Sequence, residues 1–571
     1  MAPGTTQAQP KLDVVYPAEG QKIPAVSASF IYGSVTPGSQ VWVNTQSVEV
    51  YETGAWLAFV PFQEGEFTLR VYAHNEEGSA SLERKVVVAQ KRTLIKADSF
   101  GIIHTSIFPD AEKSLLPGDR LFVSFRGTPG CKASFSIGHR TGQPMTESGA
   151  RVEQDSRQII FTDKGPDTVT VPGRYSGSYT VGRDDRFVRE RVFCYLVDHD
   201  GNLAFDSSDV LVSDWPESLQ VVARIKDTLA IFKTAPELGY ELFLPLGIKL
   251  ELNGADGEYV RVPLCRSKEA WVKRSQLELL PPGTALQPSK VDVIRAIDVN
   301  SFTGIRIVLS RAVPYNIAVS DDCKSLTILL FNAQADIDWI RYAAKNRMVG
   351  NIQWKQPETD LVQLTVSLNK PLWGWRAEYQ DNVLLVTVRP RPAIDSDHPL
   401  RGLKIALDPG HSPDNGAVGP LRTVEKDVNW QVAKKLGERL EDAGATVIFT
   451  RKENEGAKLY ERPRKAAEAR ADLLVSLHNN SHPDGVNPLK DSGFSTYYYQ
   501  PFSRDLAWEV HQIFQKTLPL PDHGFYYGNL VLCRTTEMPS FLVEPTFIIV
   551  PKEEALIRDP DFQEKIALAL L

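Results

Sequence analysis

Three short apolar runs near the C-terminus each end in a side chain able to bind a metal or move a proton. Leu403–Leu407 runs into Asp408-Pro409-Gly410-His411, Leu473–Leu477 into His478-Asn479-Asn480, and Phe541–Val543 into Glu544. Apolar runs this short read as buried strands. In an open α/β sheet, ligands bind in the crevice outside the carboxyl ends of such strands. Glu425 opens a periodic helix between the first two runs. Two histidines and two carboxylates gathered there are the parts of a hydrolytic zinc site: three protein ligands, an open position for water, and a separate general base.

Taken singly, the four residues are less telling. His411 follows a turn that leaves its ring at the mouth of the sheet, where a lone histidine is commonly structural. A carboxylate at the start of a helix, such as Glu425, is also favoured by the helix macrodipole. His478 closes a strand of small and apolar residues, so solvation alone does not explain it. A carboxylate ending an apolar run, as Glu544 does, is costly to bury unless it is paired or near a metal. As a set, His411, Glu425 and His478 supply the two imidazoles and one carboxylate known for catalytic zinc. His482 lies in a polar loop and reads as a bystander. His523 reads as a surface-loop residue, with a place along a substrate groove as the alternative, and His511 receives no role.

At about 150 residues per domain, 571 residues suggest about four domains. The composition, 42% hydrophobic and 24% charged, is that of globular chains with sizeable cores. A net charge of −7 argues against nucleic acid as a partner, because phosphate binding needs a basic face. No apolar stretch reaches the length of a membrane span. Met1-Ala2-Pro3-Gly4-Thr5-Thr6-Gln7 lacks the basic region and apolar core of a secretory signal. That leaves a cytoplasmic protein or an exported one whose signal is absent from this chain. Five cysteines make no disulfide framework and show no Cys-x-x-Cys spacing. Cys131 and Cys194 sit in strand-like runs and either bridge two sheets of a sandwich or serve as buried thiols.

The pattern changes character near residue 400. Before it, everything reads as β structure. Residues 12–90 hold short alternating runs such as Gln40–Val43 and Phe67–Ala73, broken by Pro37-Gly38, Gly54 and Gly65. This layout resembles bacterial immunoglobulin-like modules. Residues 93–214 repeat the style with different sequence, in Leu121–Phe125, the Cys131 strand and Tyr175–Val181, and read as a second β-sandwich. Residues 218–281 form a compact β unit ending in Trp271-Val272-Lys273 and Leu277-Glu278-Leu279, and resemble bacterial SH3-like wall modules. After the Pro281-Pro282-Gly283 linker, residues 290–390 hold Gly304–Ser310 and Ser325–Phe331 and resemble the AMIN domain. Arg389-Pro390-Arg391-Pro392 opens a second linker.

From 400 to 571 strands alternate with helices. Val428, Val432, Leu436 and Leu440 recur at helical spacing over Glu425–Ala443, with Gly444 placed as a C-cap. Further helices are expected over Tyr460–Ala471, over Ser503–Leu518 with a serine N-cap, and from about Asp559 to the end. Such alternation implies a doubly wound, mostly parallel sheet. The expected architecture is multidomain: several all-β modules followed by a C-terminal α/β zinc hydrolase domain.

The matching pieces Leu407–His411, Gly416–Gly419, Glu425–Asn429, Thr450-Arg451, Ser476–Asn479 and Met538–Glu544 occur in family order across nearly all of the last segment. By them, residues 400–571 resemble the catalytic domain of the amidase-3 family, the zinc-dependent N-acetylmuramoyl-L-alanine amidases of bacterial walls. The resemblance implies Zn2+ held by His411, Glu425 and His478, and Glu544 as catalytic base. It implies hydrolysis of the amide between N-acetylmuramic acid and L-alanine of the peptidoglycan stem peptide, in an extracytoplasmic setting. Two departures bear on loop geometry: Ser412-Pro413 stands where glycines are commoner, and Pro545-Thr546 follows Glu544 in place of a glycine-containing turn. A zinc-dependent wall endopeptidase or carboxypeptidase would use the same four residues, and a non-catalytic wall-binding protein is the third alternative. Some relatives insert a blocking helix after the extended run, but here Tyr497–Gln500 leads straight to Ser503, so residues 400–571 are expected to act without an activator. The first 390 residues are expected to place the enzyme on its polymer, or to act as rigid spacers. Oligomeric state is not constrained.

Overall fold

The computed structural model describes residues 9–89, 99–147, 172–216, 220–299, 302–343 and 347–571. The N-terminal heptapeptide and the expected unit edges at 90, 93 and 218 lie outside them. Among the described residues no helix is long and apolar enough to cross a membrane.

Up to residue 390 the described chain is strand and turn, apart from a 3-10 turn at Arg274–Gln276. Residues 12–88 form a three-stranded and a five-stranded sheet. Along Gly65–Asn75, buried Leu69, Val71 and Ala73 alternate with exposed Arg70, Tyr72 and His74, as a strand with one face on a core requires. Trp56, Ile31 and Val41 fill the space between the two sheets.

The next segment contributes a seven-stranded sheet in which Lys132–Ile137 pairs antiparallel with Val192–Val197, setting Phe135 opposite Cys194. Cys131, just before the first of these strands, and Cys194, on the second, therefore belong to one sheet and not to facing sheets, and both are free thiols. A second seven-stranded sheet runs across the division expected between 214 and 218. Lys113–Leu115 pairs with Val212–Asp214 on one side and with Gly254–Asp256 on the other. One apolar core then continues from Ala223 to Val388, through a five-stranded and a four-stranded sheet.

The C-terminal unit has its own labels. The strands are β1 (Lys404–Pro409), β2 (Thr446–Phe449), β3 (Leu473–Leu477), β4 (Phe494–Tyr498), β5 (Asp522–Tyr527) and β6 (Ser540–Glu544). The helices are α1 (Glu425–Asp442), α2 (Glu461–Glu468), α3 (Pro501–Thr517), α4 (Pro551–Arg558) and α5 (Pro560–Leu570). The sheet order is β2-β1-β3-β6-β4-β5. The first four strands run parallel, β4 lies antiparallel to β6, and β5 runs parallel to β4. Strand alternation sends Ile405, Leu407, Val475 and Leu477 to the face covered by α1, α3 and α5. Ala406 and Leu474 point to the other face, against Ala466 of α2.

Several boundaries differ from expectation for local reasons. Helix α3 starts at Pro501, which is tolerated in a first helical turn because its missing N–H had no partner there anyway. Ser503 is therefore inside the helix, and its hydroxyl accepts from the Ser540 amide at 2.9 Å. The helix expected from about Asp559 is α5, which Asp559 caps by accepting from the Asp561 amide, and α4 is an additional helix ahead of it. Strand β5 carries no clean apolar alternation, so its sequence reads as loop.

The first β unit is built onto this sheet domain. Phe30, Tyr32 and Leu57 belong to the same apolar core as Val428, Phe514 and Phe562. Tyr16 and Ser29 donate to the Asp484 carboxylate at 2.8 and 2.6 Å, and Asp13 pairs with Arg422. The strand Leu372–Gln380 also approaches this unit, so closely that a Cβ on Gly374 would lie 2.4 Å from the Glu537 main-chain oxygen.

Candidate metal and catalytic centre

Strands β1, β3 and β6 are adjacent and parallel, so their carboxyl ends deliver His411, His478 and Glu544 to one edge of the sheet. Glu425 arrives from the first turn of α1 and is 2% exposed. A ring nitrogen from each histidine and a Glu425 oxygen lie within 4.8 Å of one another. His411 Nε2 is 3.0 Å and His478 Nδ1 is 3.2 Å from Glu425 Oε1. The rings stand edge to face, 4.9 Å apart.

Two glycines make this packing possible. A Cβ on Gly410 would sit 2.3 Å from the His478 ring. A Cβ on Gly416 would sit 2.4 Å from Glu425 Oε2, and φ there is +65°, in the left-handed region.

The carboxylate is held from several sides. The Ala417 amide donates to Oε2 at 2.8 Å, and the Asn479 amide donates to Oε1 at 3.0 Å. Burial alone would raise the Glu425 carboxyl, but its contacts with His411 and His478 outweigh that and hold it well below the usual carboxylate range. His411 Nδ1 donates to Asp414 Oδ1 at 2.5 Å, since a carboxylate can only accept. That leaves the Nε2 lone pair facing Glu425 Oε1. Two acceptors in that position suit a shared cation, and neutral imidazoles with a carboxylate form a donor set appropriate to zinc. The residues fit the metal that the sequence implies.

Glu544 ends β6 beside His478, whose amide donates to the Val543 carbonyl at 3.0 Å. Ser495, directly across from it on β4, donates to Glu544 Oε2 at 3.1 Å. Burial pushes the Glu544 carboxyl up and Glu425 adds to the rise, while the nearby His478 imidazole and the Tyr497 and Ser495 hydroxyls offset part of it. Elevation of that kind brings a carboxylate closer to what a general base needs near neutral pH.

Buried residues with no assigned chemistry shape the loop into His411. His411 and Ser412 have φ of 64° and 72°, where non-glycine side chains are strained, so the departure at Ser412 falls on a position that favours glycine. Arg451 donates to the carbonyls of Pro409, Gly410 and Lys426 at 2.9, 3.1 and 2.7 Å. Arg462 donates to the Pro409 and Ser412 carbonyls at 2.9 Å, reaches the His411 carbonyl, and pairs with Asp408 at 3.1 Å. The Asp408 carboxylate also accepts from Thr450 and Ser476. Arg462 and Ala466 form the buried stripe of α2.

Of the unassigned histidines, His511 is 2% exposed and links Thr496 on β4 to Asp522 on β5, a structural role. His523 is not on a surface loop. It lies on β5, and its side chain is buried.

Residues 405–571 match a family model described as N-acetylmuramoyl-L-alanine amidase. N-acetylmuramoyl-L-alanine amidase LytC of Bacillus subtilis is 30% identical over 174 residues, covering 30% of this chain and 35% of that protein. The probable cell wall amidase LytH of Staphylococcus epidermidis is 29% identical over 201 residues, covering 35% of this chain and 65% of that one. The chain thus spans between about a third and two thirds of the length of these curated relatives. The solved catalytic domain of CwlV, an N-acetylmuramoyl-L-alanine amidase from Bacillus (Paenibacillus) polymyxa, is 32% identical. That match covers 29% of this chain and 93% of the solved one, with a TM-score of 0.28. The C-terminal unit that brings His411, Glu425, His478 and Glu544 together is therefore the part of the chain that matches the N-acetylmuramoyl-L-alanine amidases.

Proposed function

We propose that this protein is a zinc-dependent peptidoglycan amidase that cleaves the bond between the lactyl group of N-acetylmuramic acid and L-alanine of the stem peptide. The observation that carries the reading is the convergence of two imidazoles and a buried carboxylate at parallel strand ends, with a fourth, elevated carboxyl on the neighbouring strand. His411, Glu425 and His478 hold the ion. Zinc in that position supplies a polarised carbonyl and a water acidic enough to lose a proton near neutral pH. Glu544 takes the proton from the attacking water as the new carbon–oxygen bond forms, and returns it to the alanine nitrogen as the carbon–nitrogen bond breaks. Ser495, hydrogen-bonded to Glu544, orients that carboxylate.

The proposed substrate places the working protein outside the cytoplasm, with the β units preceding residue 400 presenting the enzyme to the wall polymer. Digestion of muropeptides of known structure tests the cleavage site. The amidase reading expects a free alanine amino group and an intact lactyl carboxylate on the glycan. A product that keeps alanine on muramic acid would assign the protein to the peptidases.

A further inference from the structure

A second constellation of ligand-type side chains lies in the C-terminal unit, made of residues that the first one does not use. His482 follows β3, Asp491 precedes β4, and His523 lies on β5. A ring nitrogen of each histidine and an Asp491 carboxylate oxygen lie within 4.8 Å of one another. The cluster is enclosed: His482 is 5% exposed, and the His523 side chain is 2% exposed. Phe547, itself fully buried, stacks on the His482 ring at 4.4 Å and meets the His523 ring edge to face at 4.8 Å.

Hydrogen bonding sets which nitrogen of each ring carries a proton. His482 Nε2 lies 2.5 Å from the Asp491 main-chain oxygen. A carbonyl only accepts, so Nε2 holds the hydrogen and the Nδ1 lone pair is the ligand electron pair. The Tyr526 hydroxyl donates to the His523 main-chain oxygen at 2.7 Å. Its oxygen can then accept from His523 Nδ1 at 3.2 Å, which leaves Nε2 to face Asp491 Oδ1 at 3.4 Å. A lone pair facing a carboxylate oxygen at that separation suits a cation between them. Burial also holds both imidazoles below their ordinary pKa, which favours the neutral form that binds metals.

We propose that His482, Asp491 and His523 form a second site for a divalent first-row transition ion. Two imidazole nitrogens and one carboxylate oxygen are donors suited to Zn2+ or its neighbours in that series, and not to the all-oxygen shells of calcium and magnesium. The ion ties the connection between β3 and β4 to strand β5. It is structural: an apolar wall, Phe547, backs it, and its donors come from three separate stretches of chain.

The test is a zinc count on the full-length protein, stripped with a chelator and brought to equilibrium by dialysis against micromolar zinc. Wild type is expected to bind two ions. Asp491→Asn and His523→Gln should each bind one, His411→Ala one, and the His411→Ala/Asp491→Asn double variant none. Zinc should also raise the thermal midpoint of His411→Ala and leave that of the double variant unmoved. A wild-type count of one that Asp491→Asn abolishes and His411→Ala preserves would support this site while counting against the first. A count of one that is unchanged in both Asp491→Asn and His523→Gln would overturn it, leaving a proton between His523 and Asp491.

Discussion

Tyr32, in the first β unit, donates its hydroxyl to the main-chain oxygen of Val418 at 2.9 Å, one residue from the Ala417 amide that holds Glu425. A residue near the start of the chain thus supports the loop around the candidate metal ligand. Phe30 and Leu57 enter the same core beside it, and burying an apolar side chain of that size contributes about 1.5–3 kcal/mol. The Asp13–Arg422 pair adds little, because Arg422 is 63% exposed. Deleting residues 1–89 should therefore lower the thermal midpoint of the C-terminal unit and promote aggregation through the uncovered face. Tyr32→Phe alone should cost about 1 kcal/mol. A truncated protein as stable and soluble as the full chain would show this contact to be incidental.

The ligand assignment predicts that His411→Ala and His478→Ala each lower the bound zinc by one ion while circular dichroism stays native. Gly410→Ala makes a sharper test, since it changes no ligand. Its methyl group would press on the His478 ring, and a displaced ligand of this kind weakens metal binding by about 10–100-fold. Competition with a chromogenic chelator measures it, and unchanged affinity would contradict the packing described for the two residues.

Arg462 should be among the least tolerant positions of the C-terminal unit. Its removal strands a fully buried Asp408 carboxylate and frees the carbonyls that lead into His411, and breaking a buried pair in this way costs about 3–5 kcal/mol. Lysine should rescue little, because an ammonium cannot reproduce the guanidinium fork that spans several acceptors. Urea unfolding of Arg462→Ala and Arg462→Lys checks both points. Losses within 0.5 kcal/mol of zero, the scale of ordinary surface changes, would remove Arg462 from the account.

The sequence was legible where periodicity and chemistry coincide. Helix α1 follows Val428, Val432, Leu436 and Leu440, with Gly444 at φ of 92° just past its end. Strands β1, β3 and β6 carry short apolar runs, so the sequence alone places His411, His478 and Glu544 at strand ends. Strand β5 was hidden because Asp522–Tyr527 sits at the edge of the sheet and is only partly buried. The buried role of His523 was hidden with it. Arg462 could not be separated from an exposed helix arginine, since what buries it is a loop far away in sequence. The docking of the first β unit was invisible for the same reason: Phe30, Tyr32 and Leu57 read as ordinary strand residues, and nothing local says which of two cores they enter.

In the proposed mechanism, Glu544 performs proton transfer at a site whose metal is held by other residues. The most direct measurement compares wild type and Glu544→Gln on one defined muropeptide, with products identified by mass spectrometry and zinc counted in the same samples. The substitution keeps a hydrogen-bonding group beside Ser495 but removes the base, and general-base catalysis contributes about 10²–10⁴-fold. Unchanged zinc content, a rate lowered by that factor, and a wild-type product with a free alanine amino group are expected. Near wild-type turnover by Glu544→Gln with its zinc intact would contradict the mechanism.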